Sequence, residues 1–116
     1  MGMPSVPLTV VELPQFVRQA QDVWSAAERQ EFVDYIARNP EAGDLIPDTG
    51  GVRKVRWRRQ GMGKRGGARV IYFYHNPVTP LFLLMVYAKA VREDLTAEAK
   101  KAVAEFAARI KRAARG

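Results

Sequence analysis

A chain of 116 residues with no cysteine and a single histidine, His75, has no disulfide framework, no thiolate metal site and no multi-histidine metal centre. It is long enough to bury one core without such support and reads as a single domain over residues 1–116. Its 19 Lys and Arg against 12 Asp and Glu give a net charge of +7, which favours an anionic partner. No apolar run reaches the length of a membrane span, and the N-terminus lacks a basic region followed by an apolar segment. A cytoplasmic protein without a membrane partner is therefore expected.

Val6, Leu8 and Val10 alternate with Pro7 and Thr9, which predicts a short first strand. Pro7 cannot donate to a ladder, so that strand belongs at a sheet edge. Pro14 suits the first turn of a helix whose apolar face is Phe16, Val17, Ala20, Val23 and Trp24. Ser25 and Glu28 have capping-box spacing and predict a second helix, with Phe32, Val33, Ile36 and Ala37 buried and Asn39-Pro40 as its stop. The two helices are expected to form a hairpin. Residues 43–51 read as a polar loop anchored by Leu45 and Ile46. Three hairpin-linked strands follow, at 52–58, 68–75 and 81–89, the last nearly all apolar and so central. Thr96 caps a final helix with Val103, Phe106, Ala107 and Ile110 as its core stripe. The order β-α-α-β-β-β-α describes an α+β domain: a small antiparallel sheet with helices packed on one side and the other side partly open.

Residues 50–74 hold eight Lys and Arg and not one Asp or Glu. Alternation along the strand at 52–58 puts Lys54, Arg56 and Arg58 on one face and Val55 and Trp57 on the other. Such a strand has an apolar side for a core and a cationic side for a polyanion, with RNA or DNA the first candidate. The glycine-rich loop adds Lys64 and Arg65, and Arg69 opens the next strand. Trp57 has the parity of the core face and reads as packing. The next strand is bulky on both faces, Arg69, Ile71 and Phe73 on one and Val70, Tyr72 and Tyr74 on the other, so its inward side stays open. In the last strand, Tyr87 and Lys89 share a face.

The ordered run Gly43-Asp44-Leu45-Ile46-Pro47-Asp48-Thr49-Gly50-Gly51-Val52-Arg53-Lys54-Val55-Arg56, then Gly61-Met62-Gly63-Lys64-Arg65-Gly66-Gly67-Ala68-Arg69-Val70-Ile71-Tyr72-Phe73-Tyr74, then Val86-Tyr87-Ala88-Lys89 and Asp94-Leu95-Thr96, closely resembles the RelE/HigB-like toxins of bacterial toxin–antitoxin pairs. The resemblance covers roughly residues 40 to 105 well and the N-terminal third in outline. It implies a ribosome-dependent endoribonuclease that cuts messenger RNA in the decoding site. The partners it implies are the ribosome, messenger RNA and a cognate antitoxin, often one with a helix-turn-helix domain. By position it assigns Lys54, Arg56, Arg69, Tyr87 and Lys89 to catalysis, and Lys64 and Arg65 to gripping the RNA backbone. Arg53 and Arg58, flanking the paired cations, complete the expected RNA contacts. The chain departs from the RelE pattern at Ala90, where a basic residue is common, and at Leu95, near where an aromatic hydroxyl is expected.

RNA cleavage without metal or cofactor requires the 2′-OH to lose a proton, attack phosphorus and expel a 5′-oxygen that regains one. The growing phosphate charge must meanwhile be stabilised. Arg56 and Arg69 suit that role, because a guanidinium fork meets phosphate oxygens bidentately and stays charged. Lys54 acts as base only if neighbouring cations lower it from about 10.4, and Tyr87 is acid or base under the same field. The residues leave that choice open. His75 ends its strand beside Asn76-Pro77 and reads as an exposed turn histidine. Two rival readings are a gyrase-targeting toxin of the same fold without nuclease chemistry, and a non-catalytic nucleic-acid-binding module.

Overall fold

The computed structural model describes residues 6–59, 67–91 and 94–115. Ser25 caps the second helix. Its Oγ accepts the Glu28 N–H at 3.1 Å, and Glu28 Oε1 accepts the Ser25 N–H at 2.8 Å, closing the predicted capping box. This begins α2 (Ala26–Arg38), which ends at Asn39; α1 (Pro14–Val23) precedes it with Pro14 in its first turn. The strands are β1 (Val10–Glu12), β2 (Asp44–Leu45), β3 (Val52–Trp57), β4 (Ala68–Phe73) and β5 (Leu81–Ala88), and the chain closes with α3 (Ala97–Arg115). Thr96 caps α3 as expected, its Oγ1 accepting the Ala99 N–H at 3.1 Å.

The strands form one sheet in the order β1-β5-β4-β3-β2, antiparallel except for the β1–β5 pair. This is the expected α+β class. Every residue of β4 is buried, because alternate side chains enter different cores. Ala68, Val70 and Tyr72 meet Phe16, Ala20, Trp24, Phe32 and Ile36 from α1, α2 and their junction. Ile71 and Phe73 meet Val103 and Ala107 of α3, with Val52 and Tyr87 beside them. Thus α1 and α2 share one side of the sheet, as predicted for the N-terminal helices, and α3 covers part of the side expected to stay open. Both faces of β4 are inward. On the α1–α2 side Trp57 is packing, its ring 5.3 Å from Phe32 and 4.8 Å from Tyr35.

Two local expectations are corrected. The first strand begins at Val10 rather than Val6, since the Leu8 N–H donates to the Ala37 carbonyl at the end of α2, 3.0 Å away. Pro7 accordingly lies outside the ladder, and β1 is an edge strand paired only with β5. The 43–51 loop contains β2, hydrogen-bonded to β3, and Leu45 is 59% exposed instead of anchoring the loop. The loop is held by Ile46 and by buried Thr49. Thr49 Oγ1 donates to the Ile46 carbonyl at 2.7 Å and accepts from the Val52 N–H at 3.2 Å.

Tyr72 fixes the start of this loop from inside the sheet. Its hydroxyl donates to the Pro40 carbonyl at 2.8 Å and accepts the Gly43 N–H at 2.9 Å. Gly43 lies so close to β3 that a Cβ there would sit 2.8 Å from the Lys54 carbonyl oxygen, so only glycine allows the approach. Burial raises the Tyr72 phenol above its ordinary 10.0 despite the lowering effect of the Gly43 hydrogen bond. A raised folded-state value means that the neutral phenol's contribution is complete below pH 10 and is lost as pH climbs through the raised value. Tyr72→Phe should cost about 1–3 kcal/mol at neutral pH. In urea titrations across the alkaline range it should also lose the part of the stability decline that comes from this phenol.

Candidate nucleic-acid interface

Antiparallel register turns the α3 side of the sheet into a series of rungs. Val52, Phe73 and Phe82 form an apolar rung under α3; Lys54, Ile71 and Met85 form the next; Arg56, Arg69 and Tyr87 form the one after. Lys54 and Arg56 therefore stand on the same face as Val52, while Val55 and Trp57 pack on the other side, as alternation predicts. Arg56 and Arg69 are direct cross-strand partners. Like charges placed directly opposite each other across two strands repel. Arg56 is exposed. Arg69 is only 2% exposed, so its charge is delivered to the rung from beneath the surface.

Lys54 is held by a residue far away in sequence. Its Nζ lies 2.7 Å from Asp94 Oδ1, with the two side chains 26% and 78% exposed. The hydrogen bond from Lys54, and then its charge, hold the Asp94 carboxyl below its ordinary range, with Arg69 adding a smaller pull. Beside this pair opens a cleft of about 310 Å³, walled by Leu45, Ile46, Pro47 and Leu95 and edged by Asp44, Asp94, Lys54 and Lys100. Sequence reasoning gave Asp94 no role. Its only local signal is a place two residues before the Thr96 cap, and nothing across a separation of 40 positions links it to Lys54.

Other cations of the basic stretch do structural work, and Arg58 finds a counter-charge outside the stretch. Arg53 faces the opposite side from Lys54, and its Nη1 donates to the carbonyls of Gly43 at 2.8 Å and Glu41 at 3.3 Å. Arg58 lies beyond the end of β3, so the parity that grouped it with Lys54 and Arg56 no longer applies. Its guanidinium sits 5.1 Å over the Trp57 ring and 3.8 Å from Glu31. Arg59 donates from Nε to the Val23 carbonyl at 3.2 Å, where a cation complements the C-terminal end of α1. Lys89 falls just past β5, its N–H donating to the Gly67 carbonyl at 3.0 Å, so strand alternation does not carry it onto the face of Tyr87. Lys64 and Arg65 lie outside the described residues. His75 is exposed beyond β4, stacked 6.1 Å from Phe73.

The fold and this surface agree with comparison to known proteins. The family model of the RelE toxin of RelE / RelB toxin–antitoxin systems matches residues 15–115, nearly the whole chain. The chain belongs to the RelE toxin family. Among solved structures it is similar to an arginine-to-alanine double mutant of the Escherichia coli toxin RelE in the free state, with a TM-score of 0.54. That match spans 76% of this chain and 90% of the other at 14% identity, which speaks for a shared fold.

As a RelE-family toxin the chain has an antitoxin as its partner. Of the five positions that the resemblance assigned to catalysis, four are on adjoining rungs: Lys54, Arg56, Arg69 and Tyr87. Among the described residues no three His, Cys, Asp or Glu side chains gather as metal ligands, and no helix is long and apolar enough to cross a membrane. The two arginines of the rung should separate in stability measurements. Arg69→Ala removes a buried stem and should cost about 2–5 kcal/mol, as for other large-to-small changes in a core. Arg56→Ala, on the surface, should stay within about 0.5 kcal/mol of wild type in urea denaturation.

Proposed function

We propose that the chain is a messenger-RNA endoribonuclease that acts on the ribosome and arrests translation, cleaving by attack of an RNA 2′-OH on the adjacent phosphate. The observation that carries this reading is the Arg56–Arg69–Tyr87 rung with Lys54 on the next one. Three cations and a phenol on one sheet face make a surface for a phosphate whose charge grows during reaction.

In the reaction the 2′-oxygen gives up its proton and forms a bond to phosphorus. The P–O5′ bond breaks, and the departing 5′-oxygen takes up a proton, leaving a 2′,3′-cyclic phosphate and a 5′-hydroxyl. Arg56 meets the non-bridging oxygens from the surface. Arg69, its direct cross-strand partner and buried, adds a second guanidinium to the same rung. Lys54 supplies a third cation at the edge of the cleft. Tyr87 carries the only phenol on the rung and is 7% exposed, which makes it the candidate for proton transfer at one end of the reaction. Lys89, at the end of β5, is the candidate at the other end.

This reading also suits the placement of Arg53, Arg58 and Arg59. Each is tied to its own side of the fold, leaving the α3 face to the substrate. Arg53 and Arg58 therefore lose their place among the proposed RNA contacts, while Lys64 and Arg65 keep theirs. Primer extension on messenger RNA from a ribosomal translation reaction tests the proposal. Wild type should produce new cuts inside ribosome-occupied codons. Lys54→Ala and Arg56→Ala should each lower the cleavage rate by about 10²-fold or more. Growth arrest by wild type without any cuts would instead point to gyrase or another target.

A further inference from the structure

The contact between Lys54 and Asp94 is more than a counter-charge. A carboxylate oxygen sits 2.7 Å from the ammonium nitrogen, the distance a phosphate oxygen would take in a charge-assisted hydrogen bond. The two residues are 40 positions apart, so the fold, and not chain proximity, brings them together. The carboxylate is 78% exposed and gains little from burial, so an ion pair of this kind is weak and exchangeable. Arg69, the buried cation of the next rung, lies near enough for its charge to act on the same carboxylate.

We propose that Lys54 and the neighbouring rung form an oxyanion-binding site that the chain's own Asp94 occupies in the free protein, and that an RNA phosphate takes this position by displacing Asp94. The proposal rests on the nuclease reading of the basic face and adds to it an internal competitor. Asp94 stands in for phosphate: it brings a negative charge and an acceptor oxygen to Lys54, and its side chain is 78% exposed, open to solvent. Naked RNA then binds less tightly than the cations alone would allow. Full occupancy requires a substrate held in place by other contacts.

The test is binding of a fluorescent single-stranded 2′-O-methyl RNA at low salt, followed by anisotropy. Such an RNA has no free 2′-OH, so cleavage cannot intrude. Asp94→Asn keeps the shape and removes the charge, and should tighten binding about two- to fivefold, the worth of an exposed ion pair. Asp48→Asn is the control for net charge. Asp48 is exposed, does not line the cleft, and has φ +64°, a conformation that asparagine also tolerates. It should change binding far less than Asp94→Asn. An Asp94→Asn protein that binds no better than wild type, or no better than Asp48→Asn, overturns the proposal, as does absence of binding by both wild type and Asp94→Asn. Weaker binding by Asp94→Asn would show instead that Asp94 merely positions Lys54. Lys54→Ala separates the two levels. If it weakens binding while Asp94→Asn has no effect, only the competitor falls; if it leaves binding unchanged, the basic face loses its assignment as well.

Discussion

The constraint on which the rest of the molecule depends is the double burial of β4. All its residues are inward, three toward α1 and α2 and the others toward α3 and the rung beyond it. A slip of one residue would exchange the two sets and drive Arg69 into the aromatic core around Phe16 and Phe32. The two cores thus lock the register of β4 against β3 and β5. Locked register is what places Arg56, Arg69 and Tyr87 in line. The repulsion between Arg56 and Arg69 is held in place by that packing.

The charge of the chain divides by location. Arg53 holds the carbonyls of Glu41 and Gly43, Arg58 covers Trp57, and Arg59 finishes α1. A guanidinium is suited to such work, because several donors and a flat face can serve carbonyls and a ring at once. Lys54, Arg56 and Arg69 share the opposite face, where Asp94 from the start of the last helical segment meets Lys54. A positive sum over the sequence says only that an anion is welcome. The division says on which face the cations not tied to backbone carbonyls or to Trp57 gather.

Membership of the RelE toxin family and the shared fold make the chain a toxin with an antitoxin partner. Fold alone does not assign chemistry, since the same scaffold can carry different sites. The case for RNA cleavage rests on particular side chains, above all on like charges set opposite each other across two strands. The cleft beside Lys54, apolar on its walls and edged by two aspartates and two lysines, lies next to that row.

Local signals carried much of this into the sequence. The Ser25–Glu28 box, Pro14, Asn39-Pro40 and Thr96 mark helix ends through hydrogen bonds made within a few residues, so they are legible without the fold. Alternation along Val52–Trp57 determined that Lys54 and Arg56 share a face, because a strand has a fixed period of two. Where an interaction spans the chain, that legibility ends. The start of β1 depends on Ala37, β2 on its pairing with β3, and the positions of Arg58 and Lys89 on where their strands stop. The inward turn of both faces of β4 needed two sets of helices to decide it. Asp94 is the clearest case: the sequence determined a cationic strand and a cap at Thr96, and only tertiary packing, by bringing residues 40 positions apart within 2.7 Å, made a carboxylate part of the site.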